Sequence, residues 1–171
     1  MTDNALIEYC YHLALKSVCV KAKFGSVIIK DGTILGEGYN GSPNPQTRDC
    51  EKLCAGALRK GVPSGTRLDL CYATHAEQWA ILNAGKKSKG AVVYVAGFLA
   101  DGTKAKKDFS LRLGNPRAGF YCSFCARIIW SAGCLGVIVD TVDGLRFQTL
   151  DQLWRTSYAV AEAGRPKDFD E

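Results

Sequence analysis

The order of apolar runs along this chain restricts its fold more than any other feature. Residues 24–41 contain two β-rich runs joined by Asp31 and Gly32, a pair that favours the tight turn of a β-hairpin. Two fully apolar runs, 91–98 and 135–140, come later and alternate with segments of helical periodicity. Because strands and helices in this order bury their apolar faces against one another, the sequence predicts a layered α/β domain.

Helical segments and two irregular stretches complete this plan. Periodicity and end signals predict helices at residues 4–16, 75–84, 122–132 and 150–163. The stretch 41–70 carries prolines and glycines, which is typical of a long functional loop, and a short helix is predicted around 50–60. Residues 98–120 form a polar, glycine-bearing insertion that we expect to be exposed. The whole of 1–171 is predicted to form one domain.

The composition excludes several classes of protein. The chain has 171 residues, 47% of them hydrophobic and 23% charged, which is typical of a globular domain and not of a disordered or fibrous chain. No apolar run approaches the roughly 18 residues of a membrane span, and the N-terminus lacks the features of a secretory signal. We therefore expect a soluble, cytoplasmic protein. Its net charge of +5 mildly favours an anionic ligand but does not demand a surface for nucleic acid. Because the few lysine clusters are weak support for binding a polymer, we do not expect nucleic acid as a partner.

The chain contains eight cysteines, and thiols in a reducing compartment more often bind metal or do chemistry than form disulfides. Two of them, Cys122 and Cys125, form a CxxC motif at the start of a predicted helix. Three more lie in or beside the proline-bearing loop, at Cys50, Cys54 and Cys71. These two groups need separate explanations, whereas Cys10 and Cys134 are expected to be core thiols.

The segment THAEQ brings a second pair of reactive side chains, His75 and Glu77. One imidazole and two thiolates are a normal ligand set for a catalytic Zn²⁺ with an open fourth position, which makes His75, Cys122 and Cys125 the candidate ligands. Glu77 is able to reach the water at that position and is the candidate proton carrier. His-x-Glu alone is common by chance, and CxxC alone also fits a redox pair or half of a structural zinc site. Together they match the zinc deaminase signature, except that Tyr121 replaces its proline.

Four pieces of the sequence resemble the deoxycytidylate deaminase branch of the cytidine deaminase superfamily. They are FGSVIIKDG, GYNGSP, CYATHAEQ and CSFCARIIWSAG, at residues 24–32, 38–43, 71–78 and 122–133. The similarity covers most of residues 5–140. It implies a three-layer α-β-α fold with a mixed sheet of about five strands, often assembled as a homo-oligomer. It also implies a zinc hydrolase that converts a cytosine nucleotide, dCMP, into dUMP and ammonia.

The same resemblance points to substrate contacts. It implies that Asn40 hydrogen-bonds the sugar and that the turn at Ser42 lies near the 5′-phosphate, although Asn40 by itself also fits a turn residue at the exit of the hairpin. The main chain at Ala76 and Ser123 is a candidate for positioning the base. Tyr121 either stacks on the base or fills the space that the proline would occupy.

A second, structural zinc would explain how the proline-bearing loop is ordered, because the loop has too few apolar residues to fold on a core of its own. In the family pattern a further cysteine lies near the end of the first helix, and Cys19 occupies that position. The predicted ligands of this second site are Cys19, Cys50, Cys54 and Cys71. The alternative is that these cysteines are free, buried thiols.

The insertion leaves the identity of the substrate open. It makes the stretch before the CxxC motif about twenty residues longer than is usual in the family. It carries the basic residues Lys104, Lys106, Lys107, Arg112 and Arg117. These residues either cover the active site and bind a phosphate or lie exposed on the surface without contacting the substrate. The alternatives are a deaminase of a nucleoside, a free base, a modified base or a nucleic-acid base, and a non-catalytic zinc scaffold, against which Glu77 argues.

Overall fold

A computed structural model gives the architecture of most of the chain. The residues that it describes are 1–44, 62, 70–111, 118–119 and 121–163, with the backbone alone at 159–163. The short helix predicted at 50–60 lies outside these residues, as does most of the loop at 41–70. Among the described residues, no helix combines the length and the apolar character that crossing a membrane requires.

The described part of the chain alternates helices and strands as the sequence predicts. The elements are α1 (Asp3–Ala14), β1 (Ala22–Lys30), β2 (Thr33–Tyr39), α2 (Ala76–Ala84), a 3₁₀ turn (Gly85–Ser88), β3 (Val92–Leu99), α3 (Ser123–Ser131), β4 (Gly136–Thr141), β5 (Gly144–Thr149) and α4 (Leu150–Ala163). The Thr2 hydroxyl caps α1 by accepting a hydrogen bond from the backbone N–H of Ala5.

The strands form one mixed sheet in the order β2-β1-β3-β4-β5. Strands β3 and β4 are parallel, and every other neighbouring pair is antiparallel. Helix α1 packs on one face around Leu6, Cys10 and Val27, whereas α2 and α3 pack on the other face around Ile28 and Ile129. The predicted three-layer α/β fold with five strands is thereby confirmed.

The fifth strand was not predicted from the residues themselves. Strand β5 pairs with β4 from Gly144 to Thr149, but Gln148 is its only fully buried side chain. An edge strand with one buried polar residue lacks the apolar alternation on which such a prediction depends. Backbone pairing with β4 therefore determines its position.

The insertion is less exposed than predicted. Strand β3 continues through Leu99, and the chain then folds back because the N–H of Ala105 donates to the carbonyl of Gly97 at 2.7 Å. Ala105 and Ala118 are both buried, at 5% and 4% exposure. The expectation of an exposed loop from residue 98 is wrong for these residues, because the segment adds a layer of backbone along the end of the sheet.

Two glycines of β2 fix the position of α2. A Cβ atom on Gly38 would lie 2.3 Å from the carbonyl oxygen of Ala76, and one on Gly36 would lie 2.2 Å from that of Ala80. Such distances are far below van der Waals contact, so only glycine permits this close approach of helix and strand. The first turn of α2 is thus held against the sheet by backbone contact.

We expect Gly38→Ala to lower the free energy of unfolding by about 1–3 kcal/mol, because the added methyl group would push the start of α2 away from the sheet. The measurement is urea denaturation followed by circular dichroism. Gly41→Ala is the control, since a Cβ there would meet no atom within 4 Å. Equal stability of the two variants would contradict the packing argument.

Candidate metal centre and catalytic pocket

The N-termini of two helices meet at the candidate site. His75 is the N-cap residue of α2, and Cys122 is the N-cap residue of α3. The side-chain oxygen of Gln78 accepts a hydrogen bond from the backbone N–H of His75 at 2.8 Å, which fixes the first turn of α2. The positive ends of both helix dipoles therefore face the same point, where they favour thiolates and carboxylates.

The three predicted zinc ligands lie together there. The ligand atoms of His75, Cys122 and Cys125 are all within 4.8 Å of one another, and His75 Nδ1 lies 3.2 Å from Cys125 Sγ. Among the described residues no other group of three or more metal-binding side chains comes this close. Two sulfurs and one imidazole fit Zn²⁺ with a fourth position left for water or substrate.

The pKa values at the site reflect concentrated negative charge. Burial disfavours the imidazolium of His75, but hydrogen bonds with Cys122 and Cys71 and the attraction of Cys122 and Glu77 raise its pKa well above the usual value. A hydrogen bond with Cys125 and the neighbouring His75 lower the pKa of Cys122, whereas burial raises the pKa of Cys125. A divalent cation would neutralise this charge and hold both sulfurs as thiolates.

Glu77, the second residue of α2, lies beside these ligands. It is 7% exposed, and its carboxylate is close enough to the Cys125 sulfur to contribute a hydrogen bond that raises the pKa of that thiol. The predicted proton carrier and the predicted ligands are therefore neighbours. Helical spacing would direct residues two positions apart to different sides, but His75 is the N-cap residue with an extended backbone, which frees its side chain from that spacing.

Tyr121 makes a contact that the sequence did not predict. Its hydroxyl donates a hydrogen bond to Glu77 Oε1 at 2.6 Å, and the side chain is 5% exposed. Burial and the Glu77 charge raise the pKa of Tyr121 well above the usual value, so the phenol keeps its proton. The one signal in the sequence was the tyrosine in place of the family's proline, but its partner lies 44 positions away.

The side-chain amide of Asn40 hydrogen-bonds the backbone at the start of β1. The amide oxygen accepts from the N–H of Phe24 at 2.7 Å, and the amide nitrogen donates to the carbonyl of Ala22 at 2.9 Å. The hydroxyl of Ser17 donates to the Asn40 carbonyl at 2.6 Å. These bonds match the role of a turn residue at the hairpin exit, while contact with a sugar remains a prediction.

The loop after β2 runs beside the metal ligands. Gly41 and Thr74 exchange two backbone hydrogen bonds of 3.1 and 2.9 Å, which ties this loop to the residue before His75. Asn40 and Ser42 also line a cavity of about 620 Å³ between α1, β2 and α2. Contact of Ser42 with a phosphate remains a prediction.

The two main-chain positions predicted to orient the base lie at helix starts. Ala76 is fully buried at the first position of α2. Ser123 is half-buried at the first position of α3. Both flank the metal ligands, and their contact with a base remains a prediction.

The cysteines of the predicted second zinc site are only partly described. Cys19 and Cys71 are half-buried, and Cys71 lies within hydrogen-bonding reach of His75. Cys50 and Cys54 lie outside the described residues, so the second site stays a prediction. Cys10 and Cys134 are buried at 0% and 2% exposure, which confirms them as core thiols.

The lysines of the insertion face different sides of the sheet. Lys104 forms an ion pair with Glu8 at 2.7 Å, and Lys106 lies 3.6 Å from Asp140, which also accepts from the hydroxyl of Tyr11 on α1. Both therefore lie on the α1 side. Arg112 and Arg117 are outside the described residues.

Lys107 points to the other side, toward the metal site. Its backbone pairs with the end of β4, with hydrogen bonds of 2.9 and 3.0 Å to Asp140 and Val142. The ammonium nitrogen lies 6.0 Å from the centre of the Phe24 ring. Burial lowers the pKa of Lys107, and the negative charges of Glu77 and Cys122 oppose that effect. Among the described residues, no carboxylate forms an ion pair with Lys107.

The fold and the site together define a class of protein: α/β domains that hold one metal ion through an imidazole and two thiolates beside a buried carboxylate. The model of the cytidine and deoxycytidylate deaminase zinc-binding region matches residues 1–141. The chain belongs to this family.

Comparison with known proteins agrees with this assignment. The chain is 32% identical to a deoxycytidylate deaminase of Schizosaccharomyces pombe over 94 residues, or 54% of this chain and 29% of the relative. It is 33% identical to the deoxycytidylate deaminase of Mycobacterium phage D29 over 96 residues, or 54% of this chain and 75% of the relative. The match therefore spans less than a third of the yeast protein.

Two solved structures share the fold. A dCMP deaminase from the cyanophage S-TIM5, solved in complex with dCMP and dUMP, aligns with a TM-score of 0.51 and 21% identity over 78% of this chain and 76% of that one. A cytidine deaminase from Burkholderia pseudomallei aligns with a TM-score of 0.53 and 17% identity over 90% and 96%.

We expect Cys125→Ser to bind about one zinc ion fewer per chain than the wild type, because the hydroxyl is a poorer ligand than the thiolate. The measurement is metal analysis by mass spectrometry after dialysis. Cys134→Ser changes the same atom in the core and should keep the wild-type zinc content. Equal zinc content of the Cys125→Ser variant and the wild type would remove Cys125 from the ligand set.

Proposed function

We propose that this protein is a zinc hydrolase that deaminates a free cytosine nucleotide, converting dCMP into dUMP and ammonia. The observation that carries the proposal is the buried Glu77 beside a three-ligand metal site. A structural zinc site closes its tetrahedron with four protein ligands and has no use for an adjacent carboxylate. A carboxylate beside an open position is what a hydrolytic site requires.

The residues of the chain divide the chemistry between them. When bound, Zn²⁺ supplies an acidified water as the nucleophile at neutral pH. Glu77 accepts a proton from the water that attacks C4 of the cytosine ring and passes it to the ring nitrogen N3. Glu77 then delivers the second proton of that water to the departing amine. Cytosine and water thus become uracil and ammonia.

We expect Glu77→Gln to lower kcat by about two to four orders of magnitude, the usual contribution of a general acid–base group. Zinc content should stay at the wild-type level, because Glu77 is not among the predicted ligands. Ammonia release with dCMP measures the rate, and metal analysis serves as the control. Wild-type turnover in Glu77→Gln would contradict the assigned role.

The choice of dCMP as the substrate is tested separately from the chemistry. The relatives are named deoxycytidylate deaminases, but the match covers only part of the yeast protein. Ammonia release from dCMP, deoxycytidine, cytosine, modified cytosine nucleotides and single-stranded DNA separates the proposal from its alternatives. Zinc-loaded protein that releases ammonia from none of them would favour the non-catalytic scaffold.

Lys107 favours a nucleotide over a nucleoside. It is the one lysine of the described insertion that faces the metal site, whereas Lys104 and Lys106 pair with carboxylates on the α1 side. A half-buried ammonium group without a carboxylate partner among the described residues gains most from an anionic ligand, because burial strengthens the attraction. A phosphate monoester supplies that charge.

We expect Lys107→Met to lower kcat/KM for dCMP by about 10- to 100-fold, the scale of one charge-assisted hydrogen bond. The kcat/KM for deoxycytidine should change little, because that substrate lacks the phosphate. Lys104→Met removes the same charge from the opposite side and is the control. An equal loss with both substrates would contradict a phosphate contact.

The remaining parts of the proposal concern the second metal, the compartment and the assembly. We propose a second zinc held by Cys19, Cys50, Cys54 and Cys71, for which metal analysis would give about two zinc ions per chain. We propose a cytoplasmic location, which the same thiols support because a reducing compartment keeps them free for metal. Homo-oligomeric assembly is supported by the family resemblance and is measured by light scattering.

A further inference from the structure

The hydrogen bond between Tyr121 and Glu77 has a geometry suited to a task in the reaction. Its length of 2.6 Å lies in the range of an O–H···O⁻ bond to an ionised carboxylate, and both side chains are buried. Such a bond is stronger than one between neutral groups and holds both partners in one arrangement. The structure therefore contains a short, water-shielded contact to the group that carries the proton.

A glutamate on a helix needs such a contact, because the helix fixes only its backbone. The side chain has three rotatable bonds, so its carboxylate samples several positions unless a partner restrains it. Tyr121 restrains one oxygen, Oε1, and its single hydroxyl proton leaves the second oxygen to other partners. The phenol is itself restrained, since its ring is buried in the core cluster that also contains Cys125 and Ala126.

The position of Tyr121 in the chain links this restraint to the metal site. The next residue is Cys122, the N-cap of α3 and a predicted ligand. Two consecutive residues therefore act on the site: Cys122 supplies a ligand sulfur, and Tyr121 fixes the Glu77 carboxylate relative to that sulfur. Proline, which the zinc deaminase signature has at this position, carries no hydrogen-bond donor.

We propose that Tyr121 is a positioning residue that orients the Glu77 carboxylate toward the open metal position through this hydrogen bond. The inference deepens the proposed function and rests on it. Its consequence is that the hydroxyl acts on the reaction step and not on substrate binding. A ring that only stacked on the base would instead act on binding through its face.

The test is Tyr121→Phe, which keeps the ring and removes the hydroxyl. We expect kcat for dCMP to fall about 10- to 100-fold, the scale of one hydrogen bond to a charged group, while KM changes less than about threefold. Zinc content should stay close to that of the wild type, and the midpoint of thermal unfolding should fall no further than in the control variant Tyr11→Phe.

A binding measurement adds a readout that does not depend on turnover. A dihydropyrimidine nucleotide with a tetrahedral, hydroxylated C4 mimics the state in which Glu77 acts, whereas dUMP mimics the product. By calorimetry, Tyr121→Phe should weaken the affinity for the tetrahedral analogue by about the same factor as kcat and leave that for dUMP nearly unchanged.

Tyr11→Phe is the matched control. Tyr11 is also buried and donates a 2.7 Å hydrogen bond to a carboxylate, that of Asp140, but on the α1 face of the sheet. This variant should keep the wild-type kcat and the affinity for the analogue. It shows what the loss of such a bond does to the fold alone.

Four results would overturn the inference. An unchanged kcat in Tyr121→Phe would show that Glu77 needs no such restraint. A raised KM with unchanged kcat would assign Tyr121 to substrate contact, and a parallel loss of zinc and thermal stability would make its role structural. If the wild type deaminates nothing in the substrate panel, the proposed function fails, and the inference fails with it for that separate reason.

Discussion

The meeting of two helix N-termini at one point is the constraint on which the site depends. His75 and Cys122 are the N-cap residues of α2 and α3, so the positions at which these helices begin decide where the ligands lie. A helix turns by about 100° per residue, so a start displaced by one residue would carry Glu77 out of the pocket. The backbone contact between Gly38 and Ala76 prevents such a shift. The sheet thereby sets the geometry of the metal centre.

Local patterns in the sequence were sufficient for the parts of the structure that local chemistry determines. The apolar runs predicted β3 and β4 because their side chains are buried on both faces, as the neighbouring Val93 and Tyr94 show for β3. The metal-binding group was predictable from the sequence because His75 and the CxxC motif each lie at the first turn of a helix. Strand β5 escaped prediction because backbone pairing with β4, and not burial of its side chains, holds it in the sheet.

Contacts between distant parts of the chain could not be predicted in the same way. The sequence marks Tyr121 as unusual, but only the fold brings its hydroxyl to Glu77. The same is true of the insertion, where Lys106 and Lys107 are adjacent and chemically identical. The pairing of Lys107 with the end of β4 directs these two side chains to opposite faces of the sheet. Predicting which of the two lysines faces the metal site would have required knowing how Lys107 pairs with the end of β4.

The charges at the metal site explain why a hydrogen-bond donor lies beside Glu77. Two thiolates and a neutral imidazole balance a divalent cation, which leaves the Glu77 carboxylate as an uncompensated buried charge. A buried anion is costly unless hydrogen bonds or an opposite charge offset it. The hydroxyl of Tyr121 supplies such a hydrogen bond to Glu77. The tyrosine thus meets a requirement of the buried Glu77 carboxylate, whereas the ammonium group of Lys107 remains available to an anionic ligand.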